Sequence, residues 1–268
     1  MISPGGVTSL PPAESMTLRF PAHFQQLLFT GGCVFALAAT ALGQVAAEVS
    51  IGGQWQRMTV IGVSGTSLMV RTDRGELGVP LAQIAEVRMA APAELALGFQ
   101  AYQAKDYPKA LGLIRSVTDR FRGMPAGWAQ QAAAALVEIN LAMNDMTKAE
   151  AEYAAFARAY PAGGTTQSEV LAARIAVAKK NFAVAKQKLA PITDAALKEK
   201  TLNPANALAY SQAFLVSGQV RESEGSFAGA LEDYLRTVTL FYHDRAAVAQ
   251  AQERADALRR EHPEITVP

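Results

Sequence analysis

One template recurs four times along the chain, and internal repetition limits the possible folds more than any single motif does. Each copy places an alanine behind a large apolar residue: Tyr107 and Ala110, Met146 and Ala149, Phe182 and Ala185, Phe227 and Ala230. Apolar or bulky residues follow at offsets four, seven and eleven from the alanine: Ile114, Val117 and Phe121 in the first copy, Tyr153, Phe156 and Tyr160 in the second. The third continues with Leu189, Ile192 and Ala196, the fourth with Tyr234, Thr237 and Phe241. Those offsets keep the side chains on one face of a helix. Ahead of each alanine stands a short polar turn such as Lys105-Asp106, and ahead of the turn the end of another helix. The expected unit is therefore a helix–turn–helix. Its alanines allow close helix approach and its aromatics fill the core beside them.

Leu97-Gly98, Asp106-Tyr107, Ala110 and Pro125 resemble a tetratricopeptide repeat, and Asp145, Ala149, Phe156 and Pro161 resemble it again. Ala173, Asn181-Phe182 and Ala185 continue the likeness, as do Phe227 and Ala230, whereas Val137 stands where that family prefers glycine. The spacing between copies is longer than the family's unit of about 34 residues. The resemblance implies a mainly α architecture over residues 91–268, an α-solenoid of stacked helix pairs whose first helices form a concave wall. On that frame Phe99, Tyr102, Gln103, Glu138, Leu141, Arg174 and Val177 face the wall as a partner-binding groove. Phe99 and Tyr102 are the expected anchors, because aromatic residues dominate interface energetics; the competing expectation packs them on the preceding β segment. The Lys and Asn pairing used by peptide-carboxylate-binding members of the family is absent from the first helices.

Before the repeats the period changes. Thr59–Val63, Ser67–Thr72, Leu77–Pro80 and Ile84–Met89 read as four short strands, with Ser64-Gly65 and Asp73-Arg74-Gly75 as turns. Residues 48–90 are thus expected to form a small antiparallel β meander or barrel. About forty residues bury too little apolar surface to stand alone, which suggests a cap on the first helices.

Residues 1–47 read as a disordered leader followed by a signal peptide. Met1 to Ser15 is rich in Pro, Gly and Ser, and an apolar run from Leu27 to Leu42 precedes small residues at Gly43 and Ala47, the two candidate cleavage positions. The run falls short of the ~20 residues a membrane span needs. The expected location is periplasmic or secreted, with an uncleaved inner-membrane anchor or a cytoplasmic adaptor as alternatives. Cys33, the only cysteine, lies inside the run and lacks the surroundings of a lipid-attachment site.

The chemistry on offer is sparse. His23, His243 and His262 are the only histidines, too few and too scattered for a zinc site or a nucleophile–base pair. Gly62-Val63-Ser64-Gly65 lies between strands, not before a helix, so it is no phosphate loop. The pairs Glu222/Glu224 and Glu232/Asp233 read as solvated faces. A formal net charge of +1 gives no field for nucleic acid. The expectation is a non-catalytic scaffold that needs no cofactor or metal and binds other cell-envelope proteins rather than a small-molecule substrate. An envelope enzyme without a recognisable motif is the remaining alternative.

Overall fold

A computed structural model of the chain describes residues 45–161, 165–203 and 206–265. Met1 to Ser15, the Leu27–Leu42 run, His23, Cys33 and the Gly43 cleavage position lie outside the described residues. Five antiparallel strands come first: β1 Val45–Ile51, β2 Gln54–Ser64, β3 Ser67–Thr72, β4 Gly75–Pro80 and β5 Ile84–Arg88. They lie in the order β4-β3-β2-β1-β5. The sheet is open, which corrects the barrel alternative. A short 3-10 turn, Leu81–Gln83, carries the chain from β4 across to β1. There the edge of β5 meets the helices instead of β4, and the Val87 amide donates to the Pro125 carbonyl at 3.1 Å. The strand missing from the sequence reading is β1, which runs through the sheet beside both β2 and β5.

One face of the sheet is apolar and built from alternate residues. Val49, Val60, Leu68, Val70, Ile84 and Val87 form a continuous core with Leu95, Ala110, Ile114, Phe121 and Leu136 of the helices that follow. At Ile61 the β2–β3 register slips by one residue, a bulge that re-aims the strand. The Ile61 carbonyl then accepts from Arg120 Nε at 3.2 Å. Gly62 is pressed so close that a Cβ would stand 2.7 Å from the Arg120 carbonyl oxygen. The small β unit is stabilised by this docking rather than by its own size.

Among the described residues there are nine α-helices, which make the protein mainly helical: α1 Ala93–Gln103, α2 Tyr107–Phe121, α3 Gly127–Ala142, α4 Met146–Ala159, α5 Thr165–Ala178, α6 Phe182–Lys198, α7 Ala207–Ser223, α8 Phe227–Thr239 and α9 Arg245–Glu261. The first eight form four hairpins, joined by one turn used four times. Its middle residue, Lys105, Asn144, Lys180 or Gly225, is left-handed, with φ of 60°, 58°, 58° and 76°. The amide after it reaches back to close the preceding helix: Asp106 to Ala101, Asp145 to Asn140, Asn181 to Ala176 and Ser226 to Arg221, all at 2.8–2.9 Å. This is a Schellman closure. In the first three turns the same residue caps the next helix, Asp106, Asp145 and Asn181 accepting from the amides of Lys109, Lys148 and Val184. One residue thus ends one helix and starts another.

The two helices of a hairpin meet in a fixed register. A Cβ on Gly98 would lie 2.6 Å from Ile114, and one on Gly218 2.5 Å from the ring of Tyr234. Val137 and Ala173 occupy the equivalent positions, seven residues ahead of the left-handed residue. The template alanines Ala110, Ala149, Ala185 and Ala230 are completely buried.

Polar ties add to this packing. Glu152 of α4 receives Arg115 Nη1 and Arg122 Nη2 from the α2 side, each at 2.8 Å. In the last hairpin Asp233 is 1% exposed and contacts Ser217, Arg221 and Arg236, while Glu222 holds Tyr234 and Arg254. The expectation that Glu222 and Asp233 belong to solvated faces is therefore overturned. Both turn inward, where α7, α8 and α9 supply their donors.

Candidate functional site

The first helices of the last three hairpins and α9 lie in one row: α3 packs on α5, α5 on α7 and α7 on α9. Together with α1 and the start of α9 they enclose a cleft of ≈ 460 Å³. Four of the seven residues expected at the wall line it, Phe99, Tyr102 and Gln103 from α1 and Glu138 from α3. Phe99 and Tyr102 also pack against the core cluster that the sheet shares with the first helices. Arg174 sits behind the wall, its Nη1 3.3 Å from Glu138 Oε2. Leu141 and Val177 are half-buried in apolar clusters beside α4 and α6 rather than in the cleft.

Glu138 organises the floor. Tyr102 donates its hydroxyl to Glu138 Oε2 at 3.2 Å, the same oxygen that Arg174 approaches. Both donors crowd one oxygen, and Oε1 is buried without a partner, as is Arg174 Nε. Burial pushes the Glu138 carboxyl above its ordinary range; Arg174 pulls it down, Asp244 pushes it up, and the Tyr102 bond pulls it down, with burial dominant. The Tyr102 hydroxyl is raised as well, by burial first and then by the Glu138 charge.

A second polar line runs along the opposite wall. Asp244 caps α9, its Oδ1 accepting from the amides of Ala246 and Ala247 at 2.9 and 3.1 Å. Its Oδ2 accepts from Gln212 Nε2 at 2.7 Å, and Gln212 Oε1 accepts from Gln167 Nε2 at 2.7 Å. Gln103, Gln130, Gln131 and Asn206 bring further carboxamides to the lining, and Ala134, Ala135 and Ala209 leave the wall low between them. His243 stands at the rim, stacked on Tyr242 with ring centroids 4.9 Å apart.

Sequence reasoning did not pick out Gln131, Gln167 and Gln212. A signal was available: each glutamine stands thirteen residues ahead of the left-handed residue of its hairpin, Asn144, Lys180 and Gly225. A second cavity, of ≈ 490 Å³, lies beside α5, α6 and α7 and is bordered by the Lys188–Glu169 ion pair, 2.9 Å long. It draws on fewer helices than the cleft. Among the described residues no group of three His, Cys, Asp or Glu side chains could hold a metal ion. No helix among them is long and apolar enough to cross a membrane. The chain matches no protein-family model, and no curated protein matches it either.

Proposed function

We propose that the protein is a non-catalytic interaction scaffold of the cell envelope, an α-solenoid of tetratricopeptide type that holds a segment of another envelope protein in the α1–α9 cleft. The observation that carries this reading is the composition of the cleft: every hairpin contributes its first helix to one continuous concavity. Stacked helix pairs generate such surfaces and use them for recognition. The cleft's carboxylates are already committed, Glu138 to Tyr102 and Arg174, and Asp244 to the start of α9 and Gln212. Their structural duties favour binding over acid–base chemistry.

Crosslinking tests the reading. A photoreactive residue at Gln103, exposed at the cleft, should capture a discrete partner in the native host, and the same residue at Lys109, exposed on α2, should not. Equal capture at both positions, or capture at Lys109 alone, would move the site away from the cleft.

Export is part of the proposal, and β1 sharpens it. Val45, Ala46 and Ala47 pair with Val60, Thr59 and Met58, so cleavage after Ala47 would remove part of the sheet, whereas cleavage after Gly43 leaves β1 intact. Intact-mass measurement of exported protein should show a chain beginning at Gln44. Retention of Leu27–Leu42 would favour the membrane-anchored or cytoplasmic adaptor instead.

A further inference from the structure

Gln131, Gln167 and Gln212 occupy one repeat-equivalent position on α3, α5 and α7, and all three line the cleft. Packed helices stand about 8–10 Å apart, and an extended chain advances about 3.3 Å per residue. Rungs on successive helices therefore fall opposite every second or third residue of a strand laid across them.

The hydrogen bonds fix which way two of the rungs point. Asp244 is an acceptor, so Gln212 must turn its amino group toward it, leaving Gln212 Oε1 to accept from Gln167. Gln167 uses one N–H in that bond and retains its Oε1 and its second N–H; Gln131 is exposed at the far end of the row. A carboxamide offers one donor and one acceptor in a plane, the same pair that a peptide group offers in return. The carboxylates near the row are engaged, Glu138 by Arg174 and Asp244 by the α9 amides, and Arg245 is the exposed charge of the lining. Ala134, Ala135 and Ala209 let a main chain approach closely between the rungs.

We propose that the glutamine row binds the main chain of an extended, uncharged segment of a partner protein, pairing with its peptide groups and reading its side chains little. This rests on the reading of the cleft as a partner site. A helical segment would present its peptide groups to itself and leave the row without partners. A positively charged segment would find both lining carboxylates already engaged.

The probe is a display library of uncharged nonapeptides, selected against the full purified chain. A recovered peptide should weaken at least tenfold when its central amides are N-methylated and change less than threefold when its sequence is scrambled. Gln131→Leu and Gln167→Leu should each weaken it about fivefold or more with an unchanged circular dichroism spectrum. Gln103→Trp, which fills the cleft from an exposed position, should block it. Blocking by Gln103→Trp combined with tolerance of N-methylation, or with loss on scrambling, overturns main-chain reading and leaves the scaffold reading standing. Binding of chitotetraose or maltotetraose in place of any peptide overturns main-chain reading in favour of a saccharide site. A library that yields no binder blocked by Gln103→Trp overturns both readings.

Discussion

Glu152 and Glu138 sit at the same side-chain exposure, 11%, on opposite sides of the helix pairs. On the outer side, Glu152 has an arginine on each oxygen, Arg115 on Oε1 and Arg122 on Oε2. Burial pushes its carboxyl upward, but the bonds from Arg122 and Arg115 outweigh burial and hold it below its ordinary 4.5. In the cleft, Glu138 has two donors on one oxygen and none on the other, and burial holds it above the same value. Glu138 lies deeper among surrounding atoms and is bonded through one oxygen only, so burial prevails there, whereas at Glu152 the two arginines prevail over it. In the outer tie both carboxylate oxygens are bonded, and the atom left over is Arg122 Nη1. In the cleft tie the atoms left over are Glu138 Oε1 and Arg174 Nε, both buried beneath the concave surface.

The strongest test of that contrast removes the outer joint. Glu152→Ala leaves Arg122 half-buried with Nη1 already lacking a partner, and breaking a buried pair from one side costs about 3 kcal/mol. Urea denaturation should show that loss; a change below about 1 kcal/mol would mean that the outer tie does not hold α2 to α4.

Next comes the contact between the two rows of helices. Gly218→Ala should destabilise by about 2 kcal/mol, because the new Cβ meets the fully buried Tyr234 ring at 2.5 Å. In an exposed helix the same change would stabilise by about 1 kcal/mol. An unchanged urea midpoint would show that α7 and α8 can separate at no cost.

A smaller effect is one of sign. Glu152, depressed in the folded state, contributes stability that is present above its unfolded value and lost as pH falls through the folded one. Glu138, raised in the folded state, contributes stability that is full below its unfolded value and fades as pH rises through the folded one. The deficit of Glu152→Gln relative to the parent should therefore grow from pH 4 to pH 7, and that of Glu138→Gln should shrink. Denaturation midpoints at the two pH values read this directly, and parallel trends would dissolve the contrast.

The smallest effect belongs to the exposed cleft surface. Gln131→Ala should alter stability by no more than about 0.5 kcal/mol. A larger loss would make Gln131 a structural residue and not a rung.

Much of the helical framework was legible in the sequence because its determinants are local. Asp106, Asp145 and Asn181 announce helix starts by their side-chain chemistry, and the alanine template records where helices touch. The strand β1 was less visible, since Val45-Ala46-Ala47 continues the small and apolar character of the preceding run. Its identity depends on partners at Val60 and Val87, well away along the chain. The bulge at Ile61 and the inward turn of Asp233 likewise depend on Arg120, Arg221 and Arg236 arriving from elsewhere. In the cleft, the offsets placed Phe99, Tyr102, Gln103 and Glu138 on one surface. They could not show that Leu141 and Val177 are taken up by neighbouring helices, or that His243, Asp244 and Arg245 complete the wall.

The shared turn also determines how the cleft can move. A residue that closes one helix and opens the next leaves no slack between them, and the interlocked contacts at Gly98 and Gly218 oppose sliding within a pair. Each hairpin must travel as a rigid lever. Any widening of the cleft then comes from one hairpin shifting against the next rather than from sliding within a pair. Such motions belong to the microsecond-to-millisecond range. The width of the cleft is thus set by how hairpins stack on one another rather than by how the two helices of any one hairpin meet.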